Sequence, residues 1–131
     1  MDSYYDESRL LLKTSWISLP CFIIQYMYEK YSISYISLTV LITSNLYWVK
    51  PTPGIRRNLD MFCVSFGALH NSYIAYGSEM GIYLYMFYAL GIYFYMMSWY
   101  YYKQNYIKKS TYCHGMLHIC ANIGNTLLML E

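Results

Sequence analysis

Five apolar blocks separated by short polar breaks constrain this chain more than any other feature. Cut at the charged clusters, they run Leu10–Tyr28, Ser32–Val49, Leu59–Gly77, Met80–Tyr102 and Ser110–Leu130. Each is near the ~20 residues that a helix needs to span bilayer hydrocarbon. The breaks are Glu29-Lys30, the run from Lys50 to Asn58, Ser78-Glu79, and the run from Lys103 to Lys109. Pro51-Thr52-Pro53-Gly54 cannot continue a helix, so that boundary is the firmest, whereas the short break at Glu79 also suits a re-entrant turn. The expected fold is all-α, a polytopic transmembrane helical bundle of about five spans forming a single membrane domain over residues 1–131.

Composition supports a lipid solvent. Only 12% of residues are charged and 57% are hydrophobic, against roughly a quarter charged in soluble domains. A soluble fold of this length exposes a large share of its surface, and nine Lys/Arg plus seven Asp/Glu are too few to cover it. The basic residues are scattered among apolar blocks rather than gathered on one stripe, which argues against a nucleic-acid partner. Cys21, Cys63, Cys113 and Cys120 form no CxxC pair and fall inside apolar segments, where cysteine packs as a small hydrophobe. The opening Met1-Asp2-Ser3-Tyr4-Tyr5-Asp6-Glu7 is acidic where a cleavable signal peptide is basic, so the first block is expected to stay in the mature protein.

Charge gives a test of the span count that is independent of hydropathy. Five alternating spans put Arg9, Lys13, Lys50, Arg56, Arg57, Lys103, Lys108 and Lys109 on one side and only Lys30 on the other. That asymmetry predicts a cytoplasmic N-terminus and places Glu131 on the opposite side. A four-span arrangement, with the first block lying on the membrane surface, is the alternative. The fourth block is crowded with tyrosine: those near its ends fit the interfacial aromatic belt, and those nearer its middle need interhelical partners.

Polar groups inside spans are expensive and mark functional candidates that should face the bundle interior. Here they are Asp60, His70, His114 and His118, with Ser44, Asn45, Asn71, Asn122 and Asn125 as neighbours. On the last block His114, His118, Asn122 and Asn125 recur at helical spacing and line one face. A His-xxx-His pair can clamp a metal, since one turn brings two imidazoles to one ion, and it can equally be two histidines hydrogen-bonded across a bundle. Asp60, Ser44 and His114 come to one depth near the cytoplasmic interface in a five-span arrangement; His70 lies nearer mid-membrane.

The order Ser44-xxx-Trp48, then Asp60 at the start of the next block, then His114-xxx-His118 resembles the membrane hydrolase superfamily of alkaline ceramidases, adiponectin-receptor-like proteins and GPI-remodelling enzymes. The segments Thr43-Ser44-Asn45-Leu46-Tyr47-Trp48, Arg57-Asn58-Leu59-Asp60-Met61-Phe62-Cys63 and His114-Gly115-Met116-Leu117-His118-Ile119 carry the likeness, across about half the chain. The resemblance implies an intramembrane zinc site that cleaves a lipid amide or ester, with His114, His118 and Asp60 on the metal and Ser44 and Asp60 as catalytic groups. Two departures stand out. The chain is some two helices short of the family's seven, and Trp48 stands where the first zinc-ligating histidine would be, although an indole nitrogen carries a proton and cannot ligate.

Three functions follow as expectations. The favoured one is a non-enzymatic membrane component, a degenerate and shortened relative with an incomplete metal site, partnered by the bilayer and by other membrane subunits or further copies of itself. A large membrane-containing virus particle is one setting for such a protein. The second is the zinc-dependent lipid hydrolase itself, and the third a small transporter or channel built on the His and Asn row.

Overall fold

The structure, a computed structural model, describes residues 2–51 and 54–130, with side chains over 8–51 and 54–130. Thr52 and Pro53 of the Pro-Thr-Pro-Gly break, and Glu131, whose sidedness the charge pattern addresses, lie outside the described residues. All regular structure among the described residues is helical: α1 (Asp2–Ser15), α2 (Ser18–Met27), α3 (Tyr31–Val49), α4 (Ile55–Ala75), α5 (Gly81–Lys103) and α6 (Ile107–Leu128).

The first apolar block forms a broken rod rather than one smooth helix. Pro20 has no N–H to offer the carbonyl of Trp16, four residues back, and its ring crowds that group. The Trp16 carbonyl instead accepts the Leu19 N–H at 3.0 Å, and Trp16 and Ile17 bond back to Lys13 and Thr14 at 3.2 Å. These three-residue bonds tighten the chain at the joint between α1 and α2.

Two of the expected breaks are tight αL turns. At Glu29-Lys30 the Lys30 N–H returns to the Gln25 carbonyl and Glu29 to Tyr26, both at 3.0 Å, with Glu29 at φ +60. After α5 the same pair of bonds recurs around Asn105, at φ +62, with Tyr106 reaching Tyr101 at 2.9 Å. Asparagine accepts this left-handed conformation more readily than glutamate, and in both turns the orphan carbonyls of the preceding helix are satisfied.

Such short connections reverse the chain, so consecutive rods run antiparallel. Ser37 Oγ donates to Gln25 Oε1 at 2.7 Å between α3 and α2, and Ser110 Oγ to the Ser98 carbonyl at 2.8 Å between α6 and α5. The first rod and α6, by contrast, run parallel. Thr14 meets His118 and Ser18 meets Asn122, a constant offset of 104 residues. The ends of α3 and the starts of α1, α4 and α6 therefore gather at one end of the bundle, together with most of the basic residues.

Burial is inverted relative to a water-soluble protein. Polar side chains such as Gln25, Ser34 and Asn71 are fully buried, while Ile55, Leu69, Phe62 and Met27 are 67–86% exposed. An apolar exterior over a polar, hydrogen-bonded interior is what lipid solvent favours. Among the described residues three stretches are long and apolar enough to cross a membrane: Ser8–Met27, Tyr31–Val49 and Gly81–Lys103. In α4 and α6 the charged and amide residues that the sequence singles out lower that apolarity. The compact apolar core, Ile33, Ala75, Leu84 and Leu128 with Tyr88 packed on it, sits at the end away from the basic residues.

Candidate functional site

At the basic end, α3 is the axis on which the candidate residues assemble. Thr43 and Ser44 lie in its last two turns and face α4, because the alternation of rods brings the start of α4 alongside them. Ser44 Oγ donates to Asp60 Oδ1 at 2.7 Å and Thr43 Oγ1 approaches the same oxygen at 3.1 Å. Asp60 is 8% exposed and Ser44 4%. Ser44 and Asp60, expected at one depth, lie in contact, with the hydroxyl bound to the carboxylate as donor.

One turn further along α3, on the same face as Ser44, Trp48 reaches α6. Its ring stands perpendicular to His114, with centroids 5.3 Å apart. Tyr95 from α5 meets His114 edge-on at 6.0 Å, and His118 does so at 5.1 Å. His114 is therefore enclosed by three rings from three helices. The indole Nε1 of Trp48 is buried and has no hydrogen-bond partner.

His118 belongs to a different seam. Its Nδ1 lies 2.9 Å from Thr14 Oγ1, which is also 3.1 Å from the Leu11 carbonyl. A threonine hydroxyl has one proton. If it goes to Leu11, the oxygen accepts the imidazole N–H; if it goes to the ring, the N–H sits on Nε2. In either tautomer Nδ1 is engaged by the hydroxyl. Deeper along α6, Asn122 accepts from Ser18 Oγ at 3.3 Å and donates to the His118 carbonyl at 2.8 Å. Asn125 accepts from Asn71 Nδ2 at 2.9 Å and from the Tyr88 hydroxyl. His70 Nδ1 lies 3.1 Å from Asn71 Oδ1, so this histidine joins the mid-bundle amides rather than the basic-end cluster.

A zinc site of the kind implied by the hydrolase resemblance does not fit these residues. Catalytic zinc sites take three protein ligands and keep one position open. Here two imidazoles remain, and the ring beside His114 on α3 is an indole that cannot ligate. Among the described residues no three His, Cys, Asp or Glu side chains converge as a metal-binding group. Asp60 is tied to α3 through Ser44 and Thr43, His114 meets α3 at Trp48, and His118 is tied to α1 through Thr14.

The sequence did not single out Thr14, Tyr88 as the partner of Asn125, or the buried Gln25 amide, whose Oε1 accepts from Ser37 while Nε2 has no partner. Gln25 stands alone in an apolar run, a signal of the same kind as Asp60. Thr14 has no such signature, because threonine is common at helix ends and its partner is far away in sequence. Compared with known proteins, the chain matches no family model, no curated protein and no solved structure.

Proposed function

We propose that this chain is a five-span, non-catalytic component of a membrane, patterned like the intramembrane lipid hydrolases but with an aromatic ring filling the place of a ligand. The observation that carries this reading is Trp48, whose buried indole stands edge-on to His114 where the hydrolase pattern needs a third imidazole. Around it, Ser44, Thr43 and Asp60 bond to one another and His118 bonds to Thr14, so the polar groups serve to join helices. In lipid, such bonds associate helices that apolar contact alone does not hold, because hydrocarbon chains are as apolar as leucine.

On this reading α4 and α6 cross the bilayer beside the three more apolar rods. Their costly residues Asp60, Asn71 and Asn122 are buried, and Arg56, Arg57, Lys108 and Lys109 lie in their first turns, where long side chains reach the interface. The basic end faces the cytoplasm by the positive-inside rule. Exposed Met86, Met96, Phe62 and Phe66 then face lipid, other membrane subunits or a second copy of the chain.

Metal analysis of the detergent-purified protein tests the proposal. Less than one zinc per chain is expected, with unfolding unchanged by chelator. Trp48→His, which adds a third imidazole beside His114 and His118, is expected to raise zinc to about one per chain. Stoichiometric zinc in the unmodified protein, lost on replacing His114 and His118 together by Ala, overturns it.

A further inference from the structure

A groove of about 360 Å³ opens on the outer surface where the first rod, α3 and α4 meet. Trp16, Leu41, Ile42, Leu46 and Val49 form its walls, and Arg56 stands beside them. Asn45 contributes little polarity, because its amide donates to the Leu41 carbonyl of its own helix at 2.7 Å. Trp16 is available as a wall because the Pro20 break ends α1 there and leaves the indole half exposed. Along α3 the walls extend eight residues from Leu41 to Val49, about 12 Å at the helical rise.

The groove is apolar along its length and cationic at one end. Arg56 is exposed, and its Nη1 reaches the Leu46 carbonyl at 3.4 Å, which holds the guanidinium against the last turns of α3. Among the described side chains no carboxylate pairs with it. Lys50 follows Val49 directly and is exposed at the same end. We propose that this groove binds one anionic phospholipid, with acyl chain along Leu41, Ile42, Leu46 and Val49 and phosphate on Arg56, a proposal that rests on the membrane reading above.

The chemistry selects this occupant by charge complementarity. A wholly apolar molecule leaves the guanidinium unmatched, and a free phosphate leaves the apolar walls bare. A phospholipid joins both parts with the spacing of a headgroup above a chain. Guanidinium is suited to the phosphate because its planar N–H fork makes paired, charge-assisted bonds, and basic pockets between helices on the cytoplasmic face are where anionic headgroups bind.

The test uses the full chain reconstituted in vesicles of equal parts phosphatidylglycerol and phosphatidylcholine with matched acyl chains. After gentle detergent extraction, retained lipid is counted by native mass spectrometry. Phosphatidylglycerol is expected to be retained over phosphatidylcholine, and Arg56→Gln to cut that preference about tenfold, the scale of one charge-assisted bond. Leu46→Trp, which fills the groove, is expected to reduce retention, and Lys30→Gln at the opposite end to leave it unchanged. Equal retention of the two lipids, an unchanged preference in Arg56→Gln, or displacement of phosphatidylglycerol by inorganic phosphate alone overturns the site. Release of the chain from membranes by alkaline carbonate overturns the membrane reading instead, which separates the two failures.

Discussion

The two ends of the bundle are held together by different means. At the end away from the basic residues, Ile33, Ala75, Leu84 and Leu128 from four helices are each no more than 3% exposed and interlock as an apolar core, with the Asn125 and Gln25 hydrogen bonds beside it. At the basic end the contacts are a carboxylate with two hydroxyls, an imidazole with a hydroxyl, and rings set edge to face. Between them the α5 and α6 hairpin is closed by small residues. A Cβ on Gly124 would lie 3.3 Å from that of Phe87, and Ser98 meets Ser110 across the same seam. The difference teaches that one end adds a tightly shaped apolar core to its hydrogen bonds, whereas the basic end rests on directional bonds and ring contacts without such a core, so the two ends should respond to different substitutions.

The sharpest way to break that comparison is Gly81→Val. A Cβ at this position would run into the Ala75 carbonyl, backbone with no flexible side chain to yield. A loss of about 3 kcal/mol in a denaturing-detergent titration followed by circular dichroism is expected. Next comes Asn125→Leu, which strips the acceptor from Asn71 Nδ2 and from the Tyr88 hydroxyl. The buried Asn71 amide and the half-buried Tyr88 hydroxyl lose this acceptor, at an expected cost of about 2 kcal/mol in the same titration. The smallest effect is expected from Trp48→Phe. The lost ring area is offset by removing a buried N–H that has no partner, leaving a change within about 1 kcal/mol. A cost for Trp48→Phe as large as that for Gly81→Val would mean that the basic end is also fixed by shape, and the contrast between the ends would fail.

Much of the helix pattern is legible in the amino-acid sequence because lipid forces long apolar runs. The expected block Ser32–Val49 matches α3 to within one residue, and Met80–Tyr102 matches α5 likewise. Where the match is poorer the cause is physical. Cutting at charges starts the third and fifth blocks at Leu59 and Ser110, but α4 begins at Ile55 and α6 at Ile107, since Arg and Lys can continue a helix and still extend their heads to water. The first block was read as one span, and Pro20, visible within it, is what divides the rod into α1 and α2.

The candidate site was legible wherever its partners share a helix or adjacent helices. His114 with His118 follows from a four-residue spacing, and the common depth of Ser44 and Asp60 from the alternation of α3 and α4, though their hydrogen bond does not. Tyrosines in the middle of the fourth block were expected to need partners, and Tyr88 bonds Asn125. Thr14 beside His118 was not legible, because no local pattern announces which of many hydroxyls will face a helix 104 residues away.

That pairing has a consequence for how the protein is made. Thr14 and Ser18 are synthesised with the first rod, while His118 and Asn122 follow with α6. At roughly 10 residues per second the interval is about ten seconds. Throughout it the first rod must wait with its hydroxyls turned toward local water or its own carbonyls. Docking of α6 on the first rod therefore comes about a hundred residues after that rod is made, and a ribosome that stalls before α6 leaves these hydroxyls without their partners.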